Sequence, residues 1–260
     1  MIQMTDILFI NPLGWDNIIW TRVTEQIPNK TFDFIEFTEE SFKSISKKEI
    51  EQVLLNKMTR VKRGGYIVAA SYGTVVLLNG LEIFSEYLDG VNLIVIEGLE
   101  PIPPKPVLKT YFEPEIKFTS KEEYLSKTLS EKEMQDGFLV ELLLRKLKKE
   151  GSKYVMKPGI KIEYDYLSLY AGINNLELLK KCRLIFHKIT IFSYLKEVIE
   201  LKNSPTVATN PIAVVRQAPA TQIASIKYPI FPKRFIEIFT SKSVFSAPAT
   251  KSKPPKLAPI

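Results

Sequence analysis

The chain has 260 residues, 45% of them hydrophobic and 25% charged, the balance of a globular protein with one substantial core. No apolar run approaches the roughly 18–20 residues that a membrane-spanning helix needs. A single cysteine rules out an internal disulfide, and one cysteine with one histidine falls short of the four N or S ligands of a structural zinc site. No cofactor or metal is expected. The net charge of +7 is unevenly spread: residues 204–260 carry eight Lys or Arg and one acid, Glu237, so residues 1–203 are neutral. A neutral body with a basic tail argues against a nucleic-acid-binding fold and leaves room for an accessory contact with an acidic partner.

The elements follow from periodicity. Ile7 to Ile10 reads as a buried strand ended by Asn11-Pro12, Ile18 to Ile27 as a helix, and Phe32 to Phe37 as an alternating strand. Glu39 to Met58 reads as a helix with Ser44 or Ser46 as its cap. Gly65 to Ala70, the apolar helix Thr74 to Tyr87 and the strand Val91 to Ile96 follow. This alternation predicts an α/β fold, a mostly parallel sheet with helices on both faces. Prolines at 101, 103, 104 and 106 then break the pattern. The segment Ser120 to Glu150 predicts a helical insertion, a cap of about 105–160. Tyr166 to Ala171 and Arg183 to Phe186 read as strands, and Ile191 to Leu201 as a closing helix. Nine of the 17 prolines fall in 204–260. The expected division is therefore a domain at 1–203 and a basic, proline-rich, partly disordered tail at 204–260.

Two motifs carry chemistry. Ala69-Ala70-Ser71-Tyr72-Gly73 lies between a strand and a helix, the setting of a nucleophile elbow. Ser71 would sit on a tight turn, with the Tyr72 N–H aimed at a developing oxyanion. Ile10-Asn11-Pro12-Leu13-Gly14-Trp15-Asp16-Asn17, after the first strand, stands where a second oxyanion N–H is donated, from Leu13. Trp15 and Trp20 are read as packing residues, and the run Arg145 to Lys149 as a solvated helix face.

Together these motifs resemble the α/β-hydrolase superfamily. They are most similar to the compact carboxylesterases that demethylate pimeloyl-acyl carrier protein in biotin synthesis, which carry a comparable N-G-W-G-x-D loop and A-W-S-x-G elbow. Gly98-Leu99-Glu100-Pro101 is similar to the turn after their third strand. The chain departs at Pro12 and Leu13, where the family has glycine and often an aromatic residue. The resemblance covers about residues 5–203 and implies a serine esterase or thioesterase acting on a small acyl ester, with an acyl chain carried by acidic acyl carrier protein; the lone Cys182 and a start that lacks a basic, cleavable signal lead to the expectation of a cytoplasmic protein.

The base would be His187, the one histidine of the chain. The acid stays open between Glu97 and Glu100, with Asp165 weaker. Asn175 stands where the G-x-x-D turn of such enzymes often holds aspartate, and an amide cannot stabilise an imidazolium by charge. In a rival register Arg183 to Phe186 is the penultimate strand and Ile223 to Tyr228 the last. The histidine position then falls on a stretch with none. That register implies the alternative function, a catalytically inactive hydrolase-fold subunit for binding or assembly.

Overall fold

The computed structural model describes residues 4–111, 116–182 and 185–193, and the backbone of 212–216. Its centre is a six-stranded sheet. The strands are β1 (Thr5–Leu13), β2 (Phe32–Phe37), β3 (Val61–Ala70), β4 (Asn92–Ile96), β8 (Lys188–Ser193) and β9 (Ile212–Arg216). They stand in the order β2-β1-β3-β4-β8-β9 and are parallel at every pairing. Helices α1 (Thr21–Thr24), α2 (Lys47–Met58), α3 (Tyr72–Asn79), α4 (Leu81–Phe84), α8 (Ile160–Ser168) and α9 (Asn175–Cys182) lie among them.

Alternation along each strand feeds two cores. Leu8, Ile10, Ile35, Phe37, Ile67, Ala69, Leu93, Val95, Ile189 and Ile191 point to one face, where α2, α3, α8 and α9 cover them. Ile7, Phe9, Val68, Ala70, Ile94, Ile96 and Phe192 point to the other, against Trp20 and Val23. Both faces are thus buried, which is why these strands read as unbroken apolar runs. Ser46 caps α2 by accepting from the Glu49 N–H at 3.3 Å.

Between β4 and α8 lies the insertion. It contains α5 (Lys105–Tyr111), α6 (Lys121–Thr128) and α7 (Gly137–Leu144), but also a small antiparallel sheet of β5 (Lys117–Phe118), β6 (Leu147–Glu150) and β7 (Lys153–Met156). The expected helical insertion thus carries strands as well: within the segment read as helix to Glu150, β6 pairs with β7 in a hairpin with Glu150 opposite Lys153, turned by Gly151 at φ 61°. The insertion has a core of its own in Phe118, Tyr124, Leu129, Leu139 and Leu143.

Other expectations change as well. Tyr166 to Ala171 is not a strand, because Ile162, Tyr166 and Tyr170 repeat every four residues and pack one helical face of α8 and the turn after it on the core. The stretch read as a strand at 183–186 precedes the strand instead: Ile185 and Phe186 lie in a turn and β8 starts at Lys188. Ile191 to Ser193 finish β8 rather than open a helix, and 194–201 lies outside the described residues. The domain boundary at 203 also moves, since Ile212–Arg216 completes the sheet beside β8. The rival last strand at 223–228 and the rest of the tail lie outside the described residues.

The buried start of β1 is held electrostatically. Asp6 accepts from the Thr31 N–H at 2.9 Å and the Thr31 hydroxyl at 2.8 Å, and pairs with Lys62. The Lys62 ammonium, the Thr31 amide and the Thr31 hydroxyl hold its carboxyl well below the usual range against the opposing effect of burial. A carboxyl depressed by folding stabilises the protein above its unfolded value near 3.9, and that contribution is lost as pH falls through the folded value. Asp6→Asn is expected to lower the urea midpoint at pH 7, with the gap from wild type closing in acid. Truncation after Asn203, which removes β9, is expected to cost a few kcal/mol, at about 1 kcal/mol per lost ladder hydrogen bond, and to appear as a lower urea midpoint.

Candidate active site

The order of strands reverses between β1 and β3, the place where open parallel sheets bind ligands, at the carboxyl ends of the strands. Ser71 occupies that point. It follows β3, precedes α3 and adopts φ 49°, ψ −113°, a conformation that a residue with a Cβ rarely takes. Its N–H donates to the Ile96 carbonyl at 2.9 Å, and its own carbonyl accepts from the Thr74 and Val75 N–H groups. Two glycines make room. A Cβ on Gly73 would stand 2.2 Å from the Ile10 carbonyl oxygen, and one on Gly98 would stand 2.1 Å from that of Ser71. The turn is thus clamped between the end of β1 and the turn after β4.

The oxyanion candidates border this clamp. Tyr72 is the first residue of α3, one of those whose N–H a helix leaves without an intrahelical acceptor. Its phenol serves a separate purpose. It is buried, donates to the Tyr166 carbonyl at 2.8 Å and is pushed to a high pKa by that burial. Leu13 ends β1 opposite Phe37, after a break in register that begins at Ile10. Pro12, with no N–H to give the ladder, falls in that break. The elbow meets β1 at Ile10 and Asn11, two residues before Leu13.

Glu97 belongs to the same turn. It has φ 58°, and its N–H donates to the Phe192 carbonyl at 3.0 Å, tying β4 to the end of β8. Glu100 lies further along. Its carbonyl accepts from the Asn175 side-chain amide at 3.0 Å, while the Asn175 oxygen accepts from Asn79 at 3.3 Å. Fully buried Asn175 therefore stitches the 97–100 turn to α3. That link needs both a donor and an acceptor, and aspartate would supply only the acceptor. Asp165 lies on α8 with Lys161 one turn away.

His187 is the expectation the structure overturns. It precedes β8 and its N–H donates to the Val91 carbonyl at 2.9 Å, at the amino ends of the strands. Asn92 pairs with Lys188 and Ile96 with Phe192, so the length of β4 separates His187 from Ser71. At about 3.3 Å per residue that is ~15 Å along the strands alone, beyond hydrogen-bond reach. The difference follows from the position of the strand: with β8 beginning after the histidine instead of ending before it, the side chain moves to the opposite edge. The sequence holds no other histidine, so no imidazole of this chain comes within hydrogen-bond reach of Ser71.

The insertion roofs this edge. Leu142 and Phe138 of α7 join the core that contains Ala70, Ile96 and Trp15. Arg22 grips Asp136 with both terminal nitrogens and holds its carboxyl below the usual range. Arg145 reaches Asp16 at 3.0 Å, and Lys146 donates to the Gly14 carbonyl at 2.9 Å. Trp20 packs as expected, its indole N–H on the Asn11 oxygen at 2.7 Å. The run 145–149 is no solvated helix face, because it crosses from α7 into β6 and buries Lys146. Between the insertion and the loop after β1 opens a cleft of about 170 Å³, lined by Gly14 to Asp16, Glu36, Thr38 to Glu40, Leu142, Arg145, Lys146, Lys157 and Pro158.

Gly98→Ala is expected to lose about 2 kcal/mol or more in urea unfolding. Its φ of 78° disfavours any Cβ, and the new methyl group would collide with the Ser71 carbonyl.

No family model matches the chain, and no curated protein matches it by sequence. Solved structures do match in shape. E-2-(acetamidomethylene)succinate hydrolase is similar at a TM-score of 0.55 and 10% identity, over 92% of this chain and 90% of that one. An alpha/beta hydrolase from Novosphingobium aromaticivorans aligns at 0.54 and 8% identity, over 83% of both chains. The thioesterase domain from the curacin biosynthetic pathway aligns at 0.51 and 12% identity, over 81% of this chain and 84% of that one. With its parallel sheet, its roofing insertion and its strained serine turn after β3, the chain has the α/β-hydrolase fold.

Proposed function

We propose that the protein receives acyl groups from esters or thioesters on Ser71. The observation that carries this reading is the backbone of Ser71 at φ 49°, ψ −113° between Gly73 and Gly98. A turn that merely joined a strand to a helix would gain nothing from such strain, whereas a nucleophile that must stand clear of the sheet does. The Leu13 and Tyr72 N–H groups receive the oxyanion, and Glu97 is the carboxylate whose turn touches Ser71. A well-stabilised leaving group is required, because no imidazole returns a proton to it; this favours thioesters and activated esters over alkyl esters. Hydrolase and thioesterase structures of the same fold support this reaction class. The loop resemblance extends it to acyl chains delivered by acyl carrier protein, as in the pimeloyl esterases, in the reducing cytoplasm where a lone thiol such as Cys182 persists.

In enzymes with a full triad, loss of the histidine costs on the order of 10⁴–10⁶ in turnover, while the oxyanion site and binding retain ~10³–10⁴ over water. The expected behaviour is therefore stoichiometric acylation of Ser71 followed by slow release. p-Nitrophenyl acetate should give a burst that Ser71→Ala abolishes and His187→Ala leaves unchanged, with the acyl group mapped to Ser71 by peptide mass. The position of His187 favours a second reading, a hydrolase-fold subunit that binds without reacting. Equal rates in wild type and Ser71→Ala, with no acyl adduct, would establish that reading in place of the first.

A further inference from the structure

The cleft between the insertion and the loop after β1 contains a chemical group that the Ser71 reaction does not use. Lys146 joins α7 to β6 and is 5% exposed, yet its side chain lines this cleft. One N–H of its amine donates to the Gly14 carbonyl at 2.9 Å, and the nitrogen stands 4.7 Å from the centre of the Trp15 ring. Among the described residues no carboxylate forms an ion pair with it; nearby Asp16 is held by Arg145. Glu39 is engaged by the Gly159 N–H at 2.9 Å and Glu36 by the Asn17 N–H at 2.8 Å. Lys146 is thus a buried amine at the wall of an open cleft.

We infer that Lys146 is a nucleophilic amine that condenses with small, uncharged aldehydes entering this cleft, forming an imine. A hydrogen bond in which the amine donates leaves the nitrogen lone pair available when the group is neutral. Burial favours that neutral form and pushes the Lys146 pKa well below that of an ordinary lysine; Glu163 and Asp16 oppose the shift and Lys157 adds to it. The same burial pushes the Glu163 carboxyl up. The Trp15 ring favours the cation by a smaller amount than desolvation takes away. In the reaction the nitrogen lone pair forms a bond to the carbonyl carbon and the C=O π pair moves to oxygen. The two protons of the amine then leave with that oxygen as water, giving C=N. The charges of the cleft select the ligand. With Lys146 neutral, Arg145 and Lys157 face Asp16, Glu36, Glu39 and Glu40, an acidic balance that repels anionic carbonyl compounds.

The test uses the full chain with butyraldehyde and sodium cyanoborohydride, whose hydride fixes the imine as a secondary amine, and peptide mass mapping of every lysine. An ordinary lysine near pKa 10.4 is almost wholly protonated at pH 8, so Lys146 should be alkylated at least ~10-fold faster than any other lysine. Its labelling should reach half-maximum well below the pH of an ordinary lysine, lose its lead when the chain is unfolded in urea, and be slower with glyoxylate than with butyraldehyde. Labelling spread evenly over the lysines, a half-maximum at the pH of an ordinary lysine, or a lead that survives urea would overturn the assignment of Lys146. Equal or faster reaction with glyoxylate would overturn the choice of an uncharged ligand. None of these readouts depends on Ser71, so this inference and the acyl-transfer reading stand or fall separately.

Discussion

The turn at Ser71 is energetically unfavourable taken alone, and the surrounding structure is arranged to hold it. A serine at φ 49° costs on the order of 1–3 kcal/mol unless its surroundings leave no alternative. Here the N–H is fixed by the end of β4, the carbonyl by the first turn of α3, and the space by two glycines whose missing Cβ atoms would strike backbone. The strand that leads into the turn and its two neighbours are deeply buried: Phe9, Ile10, Ile67 to Ala70, Leu93 and Val95 have no exposed surface. Packing of that density lets the sheet hold one strained residue, because any relaxation of the turn would have to move β1 and β4 with it.

That constraint also explains the polar residues buried nearby. Asn11 is inaccessible, with its oxygen accepting from Trp20 and its amide donating to the Trp15 carbonyl, so the loop that carries Leu13 and Gly14 is tied from inside. Asn175 does the same for the 97–100 turn. Tyr72 anchors the start of α3 through Tyr166, whose own hydroxyl donates to the Thr38 carbonyl at the end of β2. Each tie ends in a loop at the carboxyl edge of the sheet. The edge is rigid for reasons that the central apolar packing alone would not supply.

Against this edge the insertion is fastened differently, by basic side chains. Arg22 ties α1 to the insertion, and Arg145 and Lys146 tie the insertion to the loop after β1. Exposed pairs of this kind contribute little individually, but Lys146 is buried, and its desolvation makes the junction chemically unlike the rest of the surface. The hydrophobic part of the junction, Leu142 and Phe138 on the core that holds Ala70 and Ile96, sets where the roof lies. The charged part sets what the cleft beside it can accept.

Much of the fold and part of the candidate site were legible in the sequence. Apolar runs such as Ile7 to Ile10 and Val91 to Ile96, alternating with helical segments, suit strands buried on both faces of a parallel sheet. Small residues around Ser71, between a strand and a helix, marked the elbow by local chemistry alone. Tertiary structure decided the rest, where local patterns were ambiguous. Ile162, Tyr166 and Tyr170 suit a strand by residue type but a helix by spacing, and packing on the core chose the helix. The run 145–149 is as charged as a solvated surface, and burial of Lys146 appears only once β6 folds back beneath the loop after β1. His187 was misplaced because its function depends on which end of a strand it occupies. A shift of a few residues in where β8 begins, invisible to composition, carries it the full length of the sheet away from Ser71. Register along a strand is fixed by the neighbours it pairs with, and those neighbours, Val91 and Asn92, lie almost a hundred residues earlier in the chain.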